Sequence, residues 1–515
     1  MLLAAVAVVG LVFAGPFVYL IGKNLSLATD VGALWRSEST WRPLGRTLVL
    51  ATAVSASAAV VGTALAWLTV RSDVPGRRLW AVCAPLPLVF PSFVAASALL
   101  AAVAPGGMID ELVPALAPHL PEVRGFGGAW VVLTLFTYPY VYLPVAARFA
   151  SLPPSLEESA RLLGRRPWSV FRTVVLPQSG AAVWAGALLV FLYAVSEYGA
   201  VAALRYNTLT VEIFGAGINN QARSAGLGLL LAVVAVAVVV AERMVGRRRT
   251  VVAGVGSRRA LQVPLGRWRG PALGFVVVLF ANALAGPLSV LGFWAWRGLT
   301  RTGEAMPPGE LVGPAITTAA IGMLAAVLTV ALVLPVAYLT TRYASRVGGA
   351  ANAFVVGGFA LPGLVIALAL VFWVLETPVL ARLYQTLPVL LAAYALHFGA
   401  QAMRSAQVAV SSVPRRLDEA ARMLGARRWR RLRTIELPLM LPGLVAGGGL
   451  VLLSTMKELP ATLLLRPLDV DTLAVRIWGA REAARWADTG MASIVLVGVS
   501  AVLTWALVVR RVERF

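Results

Sequence analysis

Apolar runs of about 20 residues, separated by short polar stretches, follow one another along the whole chain, and a helix of that length crosses a hydrocarbon core. They fall near 2–21, 47–70, 80–103, 130–147, 181–203 and 227–245, and again near 271–295, 315–340, 351–373, 387–407, 443–465 and 492–509. The predicted fold is all-α: a polytopic membrane helical bundle of about 12 transmembrane helices. Pro85, Pro87 and Pro91 in the third run would break a soluble helix, but a bundle tolerates them as kinks when neighbours satisfy the freed carbonyls. The run from Leu2 to Ile21 lacks a basic n-region and a small-residue cleavage site, so it reads as a retained span.

The pattern is duplicated. Residues 155–180 read SLEESARLLGRRPWSVFRTVVLPQSG and residues 416–441 read RLDEAARMLGARRWRRLRTIELPLML. Glu158, Gly164, Trp168, Arg172, Thr173, Leu176 and Pro177 recur at one constant spacing as Glu419, Gly425, Trp429, Arg433, Thr434, Leu437 and Pro438. Upstream, Thr47, Leu68, Arg71 and Pro91 match Thr318, Leu339, Arg342 and Pro362 at a slightly longer spacing. The organisation expected is half one at 1–246 with a loop at 152–178, a basic linker at 247–269, and half two at 270–515 with a loop at 413–439. Ser155 and Glu158 suggest a capping box, Gly164 a left-handed helix end, and Pro167 to Pro177 a second short amphipathic piece. In the second copy Arg416 replaces the serine, leaving Pro414 to open the helix.

A hydrophobic content of 59% and a mean hydropathy of +0.81 exceed the roughly 45–50% apolar content of soluble domains, and mark an integral membrane protein. The net charge of +22 changes meaning accordingly. Roughly 30 basic residues share a side with the duplicated loops against roughly 14 opposite, a cytoplasmic bias rather than a nucleic-acid footprint. Six spans per half make the halves parallel repeats, with both termini cytoplasmic. Lys23 and Lys457 are the only lysines and neither lies in a GK[ST] context, so the chain has no P-loop. Cys83 stands alone, and His119 and His397 lack an i,i+4 partner, so no disulfide framework or histidine metal pair is indicated.

The Glu-Ala-Ala, Gly and Leu-Pro spacing of the duplicated loop resembles the coupling loop of ABC importer permeases that work with a substrate-binding protein. Glu419, Ala420 and Ala421 match that pattern in full, while the first copy has Ser159 in the middle position. The resemblance implies that Glu158, Ala160 and Gly164, and Glu419, Ala420, Ala421 and Gly425, dock on ATPase subunits. It further implies two such subunits carrying ATP-Mg, a periplasmic binding protein, a bacterial inner-membrane location, and no cofactor or enzymatic site on this chain.

Charged groups inside spans cost about 2.5–3.5 kcal/mol on insertion scales and are therefore functional candidates. Glu197, in LYAVSEYGAVAALR, and Glu458, in LSTMKELPATLLLR, occupy one repeat position, each two residues before a helix breaker, Gly199 or Pro460. Two readings stand: a lining for a cation path, with Tyr198 and Tyr193 as further oxygen donors, or hydrogen-bonded residues gripping a neighbouring helix. The stretches KELPATLLLRP, DTLAVRIW and SEYGAVAALRYNTLT resemble the ferric iron branch of these permeases, which fuses two halves in one chain. The resemblance implies ferric iron as substrate, with Glu197 and Glu458 as transient metal contacts; oxygen donors suit such a hard cation. Thiamine, a polyamine or an oxyanion remain alternatives within the superfamily, and a proton-coupled secondary transporter outside it.

Overall fold

The computed structural model describes residues 2–115, 119, 123–246, 262–302, 306–343, 345–358 and 361–504. The expected basic linker falls mostly outside them, as do the last residues of the chain. The described residues are helical apart from turns and one isolated parallel bridge between Ser72 and Val263.

Ten helices among the described residues are long and apolar enough to span a membrane, from Leu2–Ser26 to Trp486–Leu503. The expected count of about twelve is not confirmed, because two of the expected spans fall outside these ten. The expected ninth span is divided into Arg346–Gly357 and Gly363–Glu376, with Pro362 extended between them (ψ 140°). The helix Leu387–Ser411, where the tenth was expected, carries His397, Gln401, Arg404 and Gln407 and is not among the ten. The third span likewise breaks where kinks were expected. Arg77–Cys83 gives way to a short turn, Leu86–Val89, and the helix restarts only at Ser92–Val103 after Phe90 and Pro91 adopt extended conformations. Three closely spaced prolines remove too many N–H donors for one helix to persist.

Proline within three other spans is handled differently. Pro177, Pro438 and Pro287 each stand second in a helix, and each is preceded by one π-turn, at Phe171–Val175, Leu432–Glu436 and Ala281–Ala285. The wider turn relieves the clash between the ring and the carbonyl of the preceding turn.

The chain packs into two compact units that do not follow the sequence halves. Met1–Thr40, Glu212–Val236 and Ala305–Phe515 form one; Trp41–Val211 and Ala237–Glu304 form the other. In the first unit the N-terminal helix Leu2–Ser26 packs on Val312–Arg342, Arg346–Gly357 and Gly363–Glu376, helices from the other sequence half. Tyr19 and Lys23 both bind the Glu376 carboxylate, and Asn24 donates to the Ala225 carbonyl at 3.0 Å. The second unit makes the reciprocal exchange. Its helix Gly286–Arg297 packs on Ser92–Val103, with Trp294 donating to the Ala101 carbonyl at 2.8 Å and Arg297 to that of Gly106.

Lipid supplies no hydrophobic drive between spans, so close backbone approach carries much of the packing. A Cβ on Gly186 would lie 2.6 Å from the Val141 Cα, and its repeat mate Gly447 would meet the Ser405 Cβ at 2.7 Å. Gly186→Ala is expected to cost about 1–3 kcal/mol as overpacking. A lowered thermal midpoint in detergent would report this, with Gly127→Ala, whose added methyl meets nothing within 4 Å, as the unaffected comparison.

Candidate functional site: two loops and two buried carboxylates

Both duplicated loops build the same structure. The first helix, Pro154–Leu162, is entered through Pro153, and the second, Arg415–Met423, through Pro414. The expected Ser155/Glu158 capping box does not form, because the helix already begins at Pro154 and no side chain caps it. Proline at the first position has no N–H to leave unsatisfied. Gly164 and Gly425 end these helices at φ 77° and 74°, the left-handed region. Arg165 N–H then donates to the Ala160 carbonyl at 3.2 Å and Ala426 N–H to that of Ala421 at 3.0 Å, closing the turn. The following piece does not stop at Pro177 as expected; it continues through the π-turn into the span Trp168–Ser196.

Along each loop helix the predicted docking residues divide by side. Ala160 and Ala421 are buried, whereas Glu158, Glu419 and Ala420 face outward. Leu162, Leu163, Met423 and Leu424 end the helices with 88, 81, 90 and 87% of their surface exposed. Each loop thus offers an apolar pair beside an acidic residue, a surface suited to a protein partner.

Sequence reasoning missed the neighbour of Glu158. Glu157 is 4% exposed and pairs with Arg71, 1% exposed, whose second amino group donates to the Phe149 carbonyl at 2.6 Å. The signal lay in Arg71 itself, which recurs as Arg342. The second copy spends the same groups differently: Arg342 donates to the Val413 carbonyl at 2.7 Å, and Asp418, the mate of Glu157, is taken up by Arg422 and Arg431. Tyr338 and the buried Glu436 form a further contact there.

Glu197 and Glu458 stand where the helices Leu176–Ser196 and Leu437–Met456 end, as the flanking Gly199 and Pro460 suggested. Both are buried at 8% exposure. Glu197 Oε1 accepts from Ser92 at 2.8 Å and from Ala200 N–H at 2.9 Å, at the start of the short helix Gly199–Ala203. The Tyr193 hydroxyl also bonds to it, while Tyr198 is buried at the position before that helix. Glu458 Oε2 accepts from Ala461 N–H at 3.1 Å in Pro460–Leu465. Their carbonyls are also held, by the Thr210 hydroxyl at 2.6 Å and the Thr462 hydroxyl at 2.7 Å.

The surroundings of the two carboxylates differ. Ser92 corresponds to Gly363, over which a Cβ would lie 3.0 Å from Glu458 Oε1 and 3.1 Å from His397 Nε2. Among the described residues no group of three or more His, Cys, Asp or Glu side chains is placed to hold a metal. Each carboxylate therefore acts within its own unit as a helix cap, and Glu197 additionally grips Ser92 on a neighbouring helix.

Spans arranged as a repeat, with an outward-facing loop helix in each half, define a polytopic transport permease. The chain belongs to the family of binding-protein-dependent transport system inner membrane components, whose model matches it twice, over residues 58–251 and 320–515. It is 29% identical to the Fe(3+)-transport system permease protein FbpB 2 of Haemophilus influenzae over 98% of this chain and 96% of that protein. It is 24% identical to the probable ABC transporter permease protein y4fN of Sinorhizobium fredii over 94% of this chain and 89% of that one. The probable molybdenum ABC transporter permease protein HVO_B0370 of Haloferax volcanii is 31% identical over 37% of this chain and 67% of its own length. Other part-length relatives are named for sulfate. The chain is thus a multi-pass inner-membrane permease of an ABC importer and not an enzyme: ATP hydrolysis lies in separate subunits, and a periplasmic binding protein is the outer partner. This sets aside the proton-coupled secondary transporter.

The Arg71–Glu157 pair makes a stability prediction. Arg71→Met alone leaves a buried carboxylate unpaired and is expected to cost about 3–5 kcal/mol, whereas Arg71→Met with Glu157→Leu should recover most of it. Thermal unfolding of the purified variants in detergent would separate the two.

Proposed function

We propose that the chain moves ferric iron from a periplasmic binding protein to the cytoplasm, driven by two ATPase subunits that dock on the two loop helices. The observation that carries the substrate is the likeness to the Fe(3+)-transport permease FbpB 2 along almost the whole chain, both halves included. The matches named for molybdenum and sulfate extend over about a third of it. The exposed pairs Leu162/Leu163 and Met423/Leu424, with Glu158 and Glu419 beside them, support docking at both loops. Gly164 and Gly425 set the turn that aims each helix. With the loops on the ATPase side, both termini lie in the cytoplasm.

In this reading Glu197, Tyr198 and Glu458 are stations of the translocation path. A carboxylate that caps a helix in one state can offer its oxygens to a hard cation once the halves shift and the cap loosens. An oxyanion would call for free helix N-termini or cationic groups. Here the N–H groups of Ala200 and Ala461 are already taken by the chain's own carboxylates, which favours a cation at Glu197, while the basic Lys457 stands next to Glu458.

Uptake of radiolabelled ferric iron by iron-starved cells is expected to depend on this chain and to resist excess thiamine, spermidine, molybdate and sulfate. Competition by any of these would return the substrate to that compound. Glu197→Gln and Glu458→Gln are each expected to lower uptake by about tenfold, equivalent to about 1.4 kcal/mol on a limiting barrier, with membrane insertion unchanged. Uptake at the wild-type rate in both would remove the carboxylates from the path.

A further inference from the structure

The segment joining the two sequence halves re-enters the described structure at Gln262 and lies along the loop-side end of the helix Glu38–Arg71. Val263 N–H donates to the Arg71 carbonyl at 2.8 Å, Val263 forms a parallel bridge with Ser72, and Leu265 N–H donates to Asp73 Oδ1 at 2.8 Å. Val263 lines a small, partly open cleft together with Trp67, Arg71, Glu157, Arg161 and Phe171. Linker, span end and coupling helix therefore meet at one residue. The carbonyl of Arg71 is held by the linker, and its guanidinium by Glu157 on the loop helix and by the Phe149 carbonyl.

Separating the loop helix Pro154–Leu162 from this span would break a buried ion pair, a costly event. The second copy is built otherwise. Arg342 holds the carbonyl of Val413, which precedes the loop helix, and Asp418 is engaged by arginines of its own loop.

We propose that Arg71 is a positioning residue for coupled transport: it transmits the movement of the first loop helix to the second span, and the linker at Val263 sets its position. Transmission is then unequal between the halves, the first being tightly tied. This rests on the reading that the loop helices dock ATPase subunits. It assigns a mechanical role to the linker, a segment peculiar to a permease whose halves share one chain.

The test uses the full chain purified with its ATPase subunit and binding protein and reconstituted in vesicles, reading radiolabelled ferric iron taken up per ATP hydrolysed. Glu157→Gln and Val263→Pro are each expected to lower that ratio by about tenfold, within the usual range of coupling between sites, while the ATPase subunit still co-purifies. Arg71→Met with Glu157→Leu should regain thermal stability without regaining the ratio, which a merely structural role could not produce. Arg342→Met should lower the ratio by less than about twofold. An unchanged ratio in Glu157→Gln, its recovery in the double variant, or an equal loss in Arg342→Met would overturn the proposal. The docking reading fails separately: Leu163→Asp would then retain the ATPase subunit, whatever the ratio in Glu157→Gln.

Discussion

Backbone polar groups surrounded by hydrocarbon must find partners inside the protein, and this constraint shapes every irregular point of the chain. Where the helices stop at Glu197 and Glu458, a glutamate carboxylate takes the first N–H groups of the next short helix and a threonine hydroxyl takes the glutamate carbonyl. Where proline would clash within a span, a π-turn widens the helix. At the two glutamate breaks the residue at the helix end itself supplies the polar atoms. In the proposed function the same carboxylates serve the transported cation.

Duplication gives each solution twice, and the copies show which parts are scaffold. Thr47 donates its position to both halves: its hydroxyl oxygen accepts from Leu209 N–H at 2.8 Å, and that of Thr318 accepts from Leu473 N–H at 2.9 Å. The glycine turns after the loop helices are likewise kept. The polar groups around the buried carboxylates are not. Ser92 has become Gly363, and the Tyr193 position carries Ser454, which bonds Gln401 at 3.0 Å. The Arg71 clamp has been rearranged around Arg342. Divergence is concentrated where motion and cargo contact are proposed, while the contacts that fix the repeat are preserved.

Much of this was legible in the sequence because the repeat is long and free of insertions around the loops. Apolar runs located the spans, and Gly199 and Pro460 located the breaks. Periodicity could not say which neighbour a span meets, so the exchange of the first helix of each half between the compact units went unread. Local rules misled at Ser155, where Pro153 and Pro154 start the helix two residues earlier than a serine cap would, and around Pro85 to Pro91, where three prolines break a helix that one would have kinked. Glu157 was hidden beside the motif residue Glu158, since adjacent glutamates look alike until the fold buries one against Arg71 and exposes the other.

The most direct test of the account is cross-linking from the two loop helices. On a Cys83→Ser background, single Leu163→Cys and Met423→Cys variants would be assembled with the ATPase subunit and treated with a short thiol-to-amine cross-linker, with and without ATP. The account predicts a permease–ATPase product from both positions, with yields that change on ATP binding. The absence of that product from both positions, in a complex that still transports, would contradict the assignment of these helices as the coupling elements.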